Sequence, residues 1–319
     1  MNLILQSSKI FIAGHKGTVG SAVVRSLQQK GYNNLITVSS TELDLRVQQD
    51  VSDFFQKEKP LCVIDAAARV GGILANSTYP YQFIMDNLQI QNNLMSSAVK
   101  NGVEKFIFLG SSCVYPKNAQ LPIKEEYLLN SSLEPTNEWY AIAKIAGVKT
   151  CEAIKKQFNK NFFSLMPTNV YGPHDNFDLM TSHVLPAMIR KFHDAKKNNN
   201  EPVVLWGTGT PMREFIYVED LADAIVFAME NDMTESLYNV GTGKDIPISD
   251  LAYLIQAIVG HTGEIIWDSS KPDGTHRKLM DVSRLKASGW QSSTGLEDGI
   301  RKTYQWFLEN EFNYKTVVM

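Results

Sequence analysis

The stretch Gly14-His15-Lys16-Gly17-Thr18-Val19-Gly20 decides the fold. It follows a short apolar run, Lys9 to Ala13, that reads as a strand, and it opens an amphipathic segment from Val19 to about Lys30 that reads as a helix. A glycine-rich turn between a strand and a helix lets backbone N–H groups approach a pyrophosphate that any side chain would hold away. The helix start adds a partial positive charge. The spacing is G-x-x-G-x-x-G rather than the commoner G-x-G-x-x-G, so the motif gains its meaning from the strand and helix on either side of it.

Working outward, the first half of the chain alternates short apolar runs with longer amphipathic ones. Strands are expected at Leu35 to Val38, Leu61 to Ile64, Lys105 to Leu109 and Phe162 to Met166. Helices are expected at Val51 to Lys57, Tyr81 to Lys100 and Trp139 to Phe158. That alternation predicts an α/β protein, a Rossmann-type doubly wound parallel sheet with helices on both faces. After Pro167 the regularity breaks. A loop from Pro167 to Asp178, a helix near Val184 to Ala195, an exposed turn from Lys196 to Pro202, and strands near Val203–Trp206 and Phe215–Val218 suggest a smaller mixed α/β lobe. A helix from Glu219 to Met229 is expected to return to the first domain. The reading is therefore a dinucleotide-binding domain over 1–170 with return segments about 214–240, and a mainly substrate-binding, interleaved lobe over 171–319. The two long helices lack an evident partner within the chain.

Composition narrows the class. The chain has 319 residues, 44% hydrophobic and 20% charged, with a formal net charge of -3, so a nucleic-acid or membrane-surface partner is not expected. Cys62, Cys113 and Cys151 are odd in number and widely spaced, which fits neither a disulfide framework nor a metal site and suggests a reducing, cytoplasmic setting. Met1 to Ser8 reads as polar-flanked chain leading into the first strand rather than as a secretory signal. No apolar stretch approaches the roughly 20 residues of a membrane span.

Two groups of residues carry chemistry. The second strand runs out through Thr37-Val38-Ser39-Ser40, with hydroxyls where an NAD enzyme usually has an acid, and Lys16 within reach from the glycine loop. This favours NADP(H), although Glu42 is close. Asp44, Leu45 and the alanines Ala66 to Ala68, Ala67 among them, fall where adenine and ribose cross the sheet edge; the alanines equally suit close helix packing. The second group is Tyr140 and Lys144, four apart and therefore on one helix face. A nearby cation lowers a phenol toward working pH and makes it a usable general acid. The fourth strand ends in Leu109-Gly110-Ser111-Ser112-Cys113, where a serine hydroxyl can bond a substrate carbonyl.

With these residues in hand the chain resembles the extended short-chain dehydrogenases/reductases. Within them it is similar to the GDP-L-fucose synthases, on Val70-Gly71-Gly72-Ile73, Ser111 to Pro116, Glu134 to Glu138, Gly172 to Phe177, Trp206 to Glu214 and Lys271-Pro272-Asp273-Gly274. The resemblance implies NADPH-dependent 3,5-epimerisation and 4-reduction of GDP-4-keto-6-deoxy-D-mannose. It implies Cys113 and His183 as the proton-transfer pair, and Ser111, Tyr140 and Lys144 as the reduction set. Leu109 to Ser112, Pro167, Thr168, Asn169, Val170 and His183 would line the cofactor. Lys191, Trp206, Arg213 and Asp273 would surround the sugar nucleotide, with Arg190 an alternative to Lys191. It also implies a homodimer through the helices 81–100 and 139–158. A Cys after a strand often serves merely as a small buried hydrophobe, and a loop His is often just exposed. The competing readings are an NAD-dependent nucleotide-sugar 4-epimerase, a GDP-mannose 4,6-dehydratase and a non-catalytic cofactor sensor on the same fold. The dehydratase would want an acid near Cys113, and Leu109 to Gln120 contains none.

Overall fold

The computed structural model describes residues 4–271 and 273–310 of the chain. Met1 to Leu3 and Pro272, which entered the reading above, lie outside the described residues, as do 311–319 of the second lobe. The chain runs β1 (Ile10–Ala13), α1 (Thr18–Gln29), β2 (Leu35–Ile36), α2 (Gln48–Glu58), β3 (Cys62–Asp65), α3 (Ile73–Thr78), α4 (Pro80–Lys100) and β4 (Lys105–Leu109). It continues through α5 (Glu138–Phe158), β5 (Asn161–Pro167), β6 (Asn169–Tyr171), α6 (Val184–Lys197), β7 (Val203–Trp206), β8 (Met212–Tyr217), α7 (Val218–Glu230) and β9 (Leu237–Val240). The last elements are β10 (Asp245–Pro247), α8 (Ile248–Val259), β11 (Ile265–Asp268), β12 (Arg277–Lys278), α9 (Ser283–Ala287) and α10 (Leu296–Glu309).

Six strands form one parallel sheet in the order β2-β1-β3-β4-β5-β9. Both faces are buried, and the two-residue repeat of a strand sorts its side chains between them. Ile10, Ile12, Ile64 and Ile107 pack with α1 and α7. Phe11, Val63, Phe106 and Phe108 pack on the other face with α2, α4 and α5. Each such side chain contributes about 1.5–3 kcal/mol by leaving water, so the sheet is a rigid platform for whatever its C-terminal edge carries. The chain leaves β1 for β2 on one side and returns to β3 on the other, which opens a crevice above β1 and β3.

A third cluster, including Phe177, Ile189, Phe192, Leu205, Phe215, Leu251 and Phe307, is the core under α6, α8 and α10. The strand β8 bridges the lobes: it pairs with β6 and β12 in parallel and with β10 antiparallel.

Three expectations change. The second strand stops at Ile36, because the chain turns at Ser39, whose N–H donates to Glu42. The strand expected at Phe215–Val218 begins at Met212, since pairing with β10 and β12 extends it backwards. The long helices do have partners within the chain: α4 and α5 pack on each other and on the sheet through Leu94, Met95, Ala98, Val148 and Cys151. Their N-terminal ends nevertheless keep Tyr81 and Trp139 exposed.

Candidate active site

The glycine loop is built for close approach. Gly14 has φ +78°, and a Cβ there would stand 2.6 Å from the Ala66 carbonyl oxygen. A Cβ on Gly20 would fall 2.2 Å from the Gly14 oxygen. The helix α1 starts at N-cap Gly17 with no side-chain cap and no acid in its first turn, so its leading N–H groups face the crevice without an internal anion. A dinucleotide pyrophosphate fits that cradle. His15, Lys16, Thr18 and Val19 complete the turn, and Thr18 Oγ1 donates to the His174 carbonyl, tying the turn to the Gly172–Phe177 loop. Ala67 N donates to Asp65 Oδ1 at 3.1 Å, which holds the alanine turn against Gly14.

At the end of β2, the Ser39 hydroxyl and N–H both donate to the Glu42 carboxylate, and these two bonds hold its pKa below the ordinary value. Two converging donors thus grip an oxyanion just beyond β2, with Lys16 acting on the same carboxylate. Ser40 is exposed beside them. Asp44 is held below its usual range by the Arg46 guanidinium, at 2.7 Å. Leu45 packs against the α2 side of the sheet.

The proton-transfer residues converge. Lys144 Nζ donates to the Leu109 carbonyl at 2.7 Å, stands 4.6 Å from the Phe108 ring centroid and 5.9 Å from that of Tyr140. Burial lowers the Lys144 pKa. The Tyr140 phenol is pushed up, by burial first and then by Cys113 and Asp65. The expected lowering by the neighbouring cation is therefore overturned, because the ammonium is turned toward Leu109 and desolvation dominates. A protonated phenol is the form an acid needs. Ser111 precedes the short turn Ser112–Val114, and its Oγ accepts from Cys113 N at 3.4 Å. Burial raises the Cys113 thiol pKa; Lys278 and the Ser111 hydroxyl pull it back without cancelling that rise. Gly110 lies under Met166, where a Cβ would overlap the methionine side chain.

His183 is exposed at the N-cap of α6, within a recess whose walls lower its pKa. The glycine pair packs against the residues just ahead of it. Gly72 N donates to the Thr181 carbonyl at 3.1 Å. A Cβ on Gly72 would meet the Ser182 carbonyl oxygen at 2.8 Å, and one on Gly71 would meet the Phe83 ring at 3.3 Å. Phe83 in turn meets the Tyr140 ring edge-on, with centroids 6.3 Å apart. Behind the crevice, Thr168 Oγ1 and Asn169 Nδ2 both donate to the Glu214 carbonyl, at 3.0 and 2.7 Å, and fix Pro167 to Val170 between the lobes.

In the second lobe, Lys191 Nζ donates to the Val204 carbonyl at 2.8 Å, whereas Arg190 is paired with Asp194 at 2.6 Å. The alternation along β7 turns Trp206 outward, 54% exposed, with Lys271 Nζ 5.7 Å from its ring. Asp273 accepts from Thr208 N and Oγ1, and Gly207 at φ +81° leaves room for it. Arg213 is buried enough to have its pKa lowered, and feels Asp273 and Glu134. Among the described residues no cluster of His, Cys, Asp and Glu could hold a metal ion, and no helix is long and apolar enough to cross a membrane.

Comparison with known proteins gives the arrangement its relatives. Residues 10–241 match the model of the NAD dependent epimerase/dehydratase family. The chain belongs to this family. It is 56% identical to GDP-L-fucose synthase 1 of Arabidopsis thaliana over 97% of this chain and 95% of that protein. Among solved structures it is similar to a GDP-6-OMe-4-keto-L-xylo-heptose reductase from C. jejuni, with a TM-score of 0.90, 38% identity and coverage of 96% and 99% of the two chains. It also matches a GDP-L-fucose synthetase from Naegleria fowleri bound to NADP, with a TM-score of 0.90, 29% identity and 98% of each chain covered.

Beyond the family's Ser, Tyr and Lys, the sequence reading missed three residues that shape the site. Lys278 pairs with Arg213 across β12 and β8 and supplies the largest favourable charge to Cys113; a Lys in a two-residue strand gave no signal. The Glu214 carboxylate accepts from Thr242, Gly243 and Met280 N–H groups at 2.7, 2.7 and 2.9 Å and so locks the lobes together. Asp65 is wholly buried at the end of β3, in a strand otherwise apolar. An acid within a buried run was the available signal.

Proposed function

We propose that the chain converts GDP-4-keto-6-deoxy-D-mannose to GDP-L-fucose, by 3,5-epimerisation followed by 4-reduction with NADPH. The observation that carries this reading is the closeness of four groups: Cys113 N donates to Ser111 Oγ at 3.4 Å, Lys144 Nζ stands 5.9 Å from the Tyr140 ring centroid, and Cys113 acts electrostatically on both Tyr140 and Lys144. A 4-ketone acidifies the hydrogens at carbons 3 and 5. Each inversion needs one group to take a proton and another to return one from the opposite face. Cys113 and His183 serve as that pair; desolvation lowers the imidazole pKa, and Lys278 and Ser111 partly offset the rise that burial imposes on the thiol. Bound NADPH supplies the hydride for carbon 4. Tyr140 donates its proton to the oxygen that Ser111 orients, and Lys144 holds the ribose and the phenol in register.

The Ser39 pair of donors and Lys16 would hold a 2′-phosphate, since charge-assisted bonds to oxyanions are the strong ones. Arg213 and Lys191 meet the diphosphate, since a planar guanidinium matches oxyanions in pairs. Trp206 and Asp273 flank the sugar nucleotide. In this division residues 1–170 with 214–240 hold the cofactor, and the remainder of 171–319 holds the substrate. The exposed Tyr81 and Trp139 at the ends of α4 and α5 support a homodimer through those helices. Three buried free cysteines suit a reducing, cytoplasmic setting.

The test is to supply GDP-4-keto-6-deoxymannose with NADPH and identify the product by NMR. GDP-L-fucose supports the reading. A product reduced at carbon 4 without inversion makes the chain a simple reductase. Interconversion at carbon 4 with NAD and no net redox change makes it a 4-epimerase, and cofactor binding without turnover makes it a sensor.

A further inference from the structure

Of the polar side chains buried in the sheet, Asp65 has the least evident reason to be there. It is fully buried, with one carboxyl oxygen engaged by Ala67 N at 3.1 Å and the other, Oδ2, without a hydrogen-bond partner. Burying a carboxyl without full partners is costly, so a chain that keeps one has a use for it or tolerates a defect. The strand repeat puts Asp65 on the same face as Val63, toward α4 and α5. Its register partner on β4 is Phe108. The ammonium of Lys144 stands over that same Phe108 ring, at 4.6 Å, and bonds the next residue's carbonyl. The buried carboxyl and the lysine of the Tyr-Lys pair therefore share one dry compartment, and Asp65 acts electrostatically on both Lys144 and Tyr140.

We propose that Asp65 is a positioning residue of the reduction step, a carboxylate beside Lys144 that offsets the lysine's charge and keeps the Tyr140 phenol protonated. The inference rests on the ketosugar reading above for its kinetic part, and on the compartment alone for the rest. When Asp65 is ionised, the ammonium has a counter-charge, and its field on the phenol weakens. When Asp65 is neutral, the same ammonium acts unopposed and the phenol ionises more readily. Burial moves the carboxyl from 3.8 up to about 6, with Lys144 and the Ala67 N–H pulling it down, so this change of state falls just below neutral pH. The titratable groups that reach Asp65 are Lys144, Tyr140 and Cys151, all from α5. Its strand neighbours bring Ala13 and Phe108, and α4 brings the amide of Gln91 to the Phe108 ring. None of those three titrates.

Asp65→Asn is the informative variant, because the amide keeps an acceptor for Ala67 N and loses only the charge. Infrared difference spectra of the protein with NADPH bound should show a protonated-carboxyl C=O stretch that is present at pH 5, disappears near pH 6 and is missing from Asp65→Asn. Thermal stability of the variant relative to the native chain should rise as pH climbs from about 4 through 6, because a carboxyl with a raised folded pKa loses stability over that window, and should then level off. In the reduction assay, the alkaline limb of the kcat profile should move down by about one pH unit, the size of one partly screened charge interaction. The KM for the sugar nucleotide should stay fixed, and Asp65→Glu should restore the limb. A band that persists in Asp65→Asn, or an alkaline limb that does not move in a variant that still binds NADPH, overturns the proposal. Should the ketosugar not be turned over at all, the infrared titration still reports on Asp65: its presence upholds the compartment while the substrate reading falls, and its absence overturns the proposal by itself.

Discussion

Gly72→Ala is the sharpest test of the proposed catalytic role of His183. The added methyl would stand 2.8 Å from the Ser182 carbonyl oxygen, short of the 3.4 Å of ordinary contact by about 0.6 Å. The obstacle is backbone and cannot rotate away, so the loop ahead of α6 must retreat and lengthen the Gly72 N–H bond to Thr181, now 3.1 Å. His183, one residue beyond Ser182, retreats with it. A misplacement of about 1 Å in a catalytic group costs roughly 100-fold, so a shift of about 0.6 Å should cost on the order of tenfold. The assay is solvent-deuterium incorporation at carbons 3 and 5 of the ketosugar, followed by NMR, beside a fluorescence titration of NADPH. Exchange should fall about tenfold while NADPH affinity holds, because the cradle from Gly14 to Gly20 is untouched. Undiminished exchange would refute the docking role of the glycine pair, and a parallel loss of NADPH affinity would show that the substitution disturbs the whole crevice instead.

Four further outcomes are expected. Tyr140→Phe should abolish reduction and leave deuterium exchange, whereas Cys113→Ser should slow exchange by about 100-fold or more; loss of both activities in either variant would undo the division of labour. Arg213→Ala should weaken GDP-sugar binding about tenfold to a hundredfold, the range of charge-assisted bonds, with NADPH affinity little changed; the reverse ranking would misplace Arg213. Glu42→Gln should lower the KM for NADPH several-fold, since like-charge repulsion of the 2′-phosphate is removed, and a gain for NADH instead would contradict the pocket assignment. Desolvation within its recess lowers the His183 pKa below the ordinary value of about 6.5, so the acid limb of exchange should lie below that pH; a limb at or above it would mean that His183 does not carry the proton in exchange.

Much of the site was legible because its signals are local. Glycines at 14, 17 and 20 between an apolar strand and an amphipathic helix specify a close backbone approach wherever they occur. Tyr140 and Lys144 share a face because helix geometry alone puts them there. The direction of the phenol's pKa was not legible. Sequence suggests a cation four residues away; the structure turns that cation to the Leu109 carbonyl and surrounds the ring with protein, so desolvation prevails. Serines 39 and 40 could be read as a tolerant pocket, but the Ser39 hydroxyl is already given to Glu42, a turn interaction whose geometry depends on where β2 ends.

The sequence by itself determined the parallel sheet, the glycine turn between β1 and α1 and the shared helix face of Tyr140 and Lys144, because each follows from the two periodicities of the backbone and from glycine's missing side chain. Tertiary structure alone decided which charges face which. Lys278 reaches Cys113 across a strand pairing, Glu214 gathers three backbone N–H groups from distant segments, and Asp65 shares a compartment with a lysine 79 positions further along the chain. Electrostatic fields act through space and depend on burial, and neither distance nor burial is written in the order of residues.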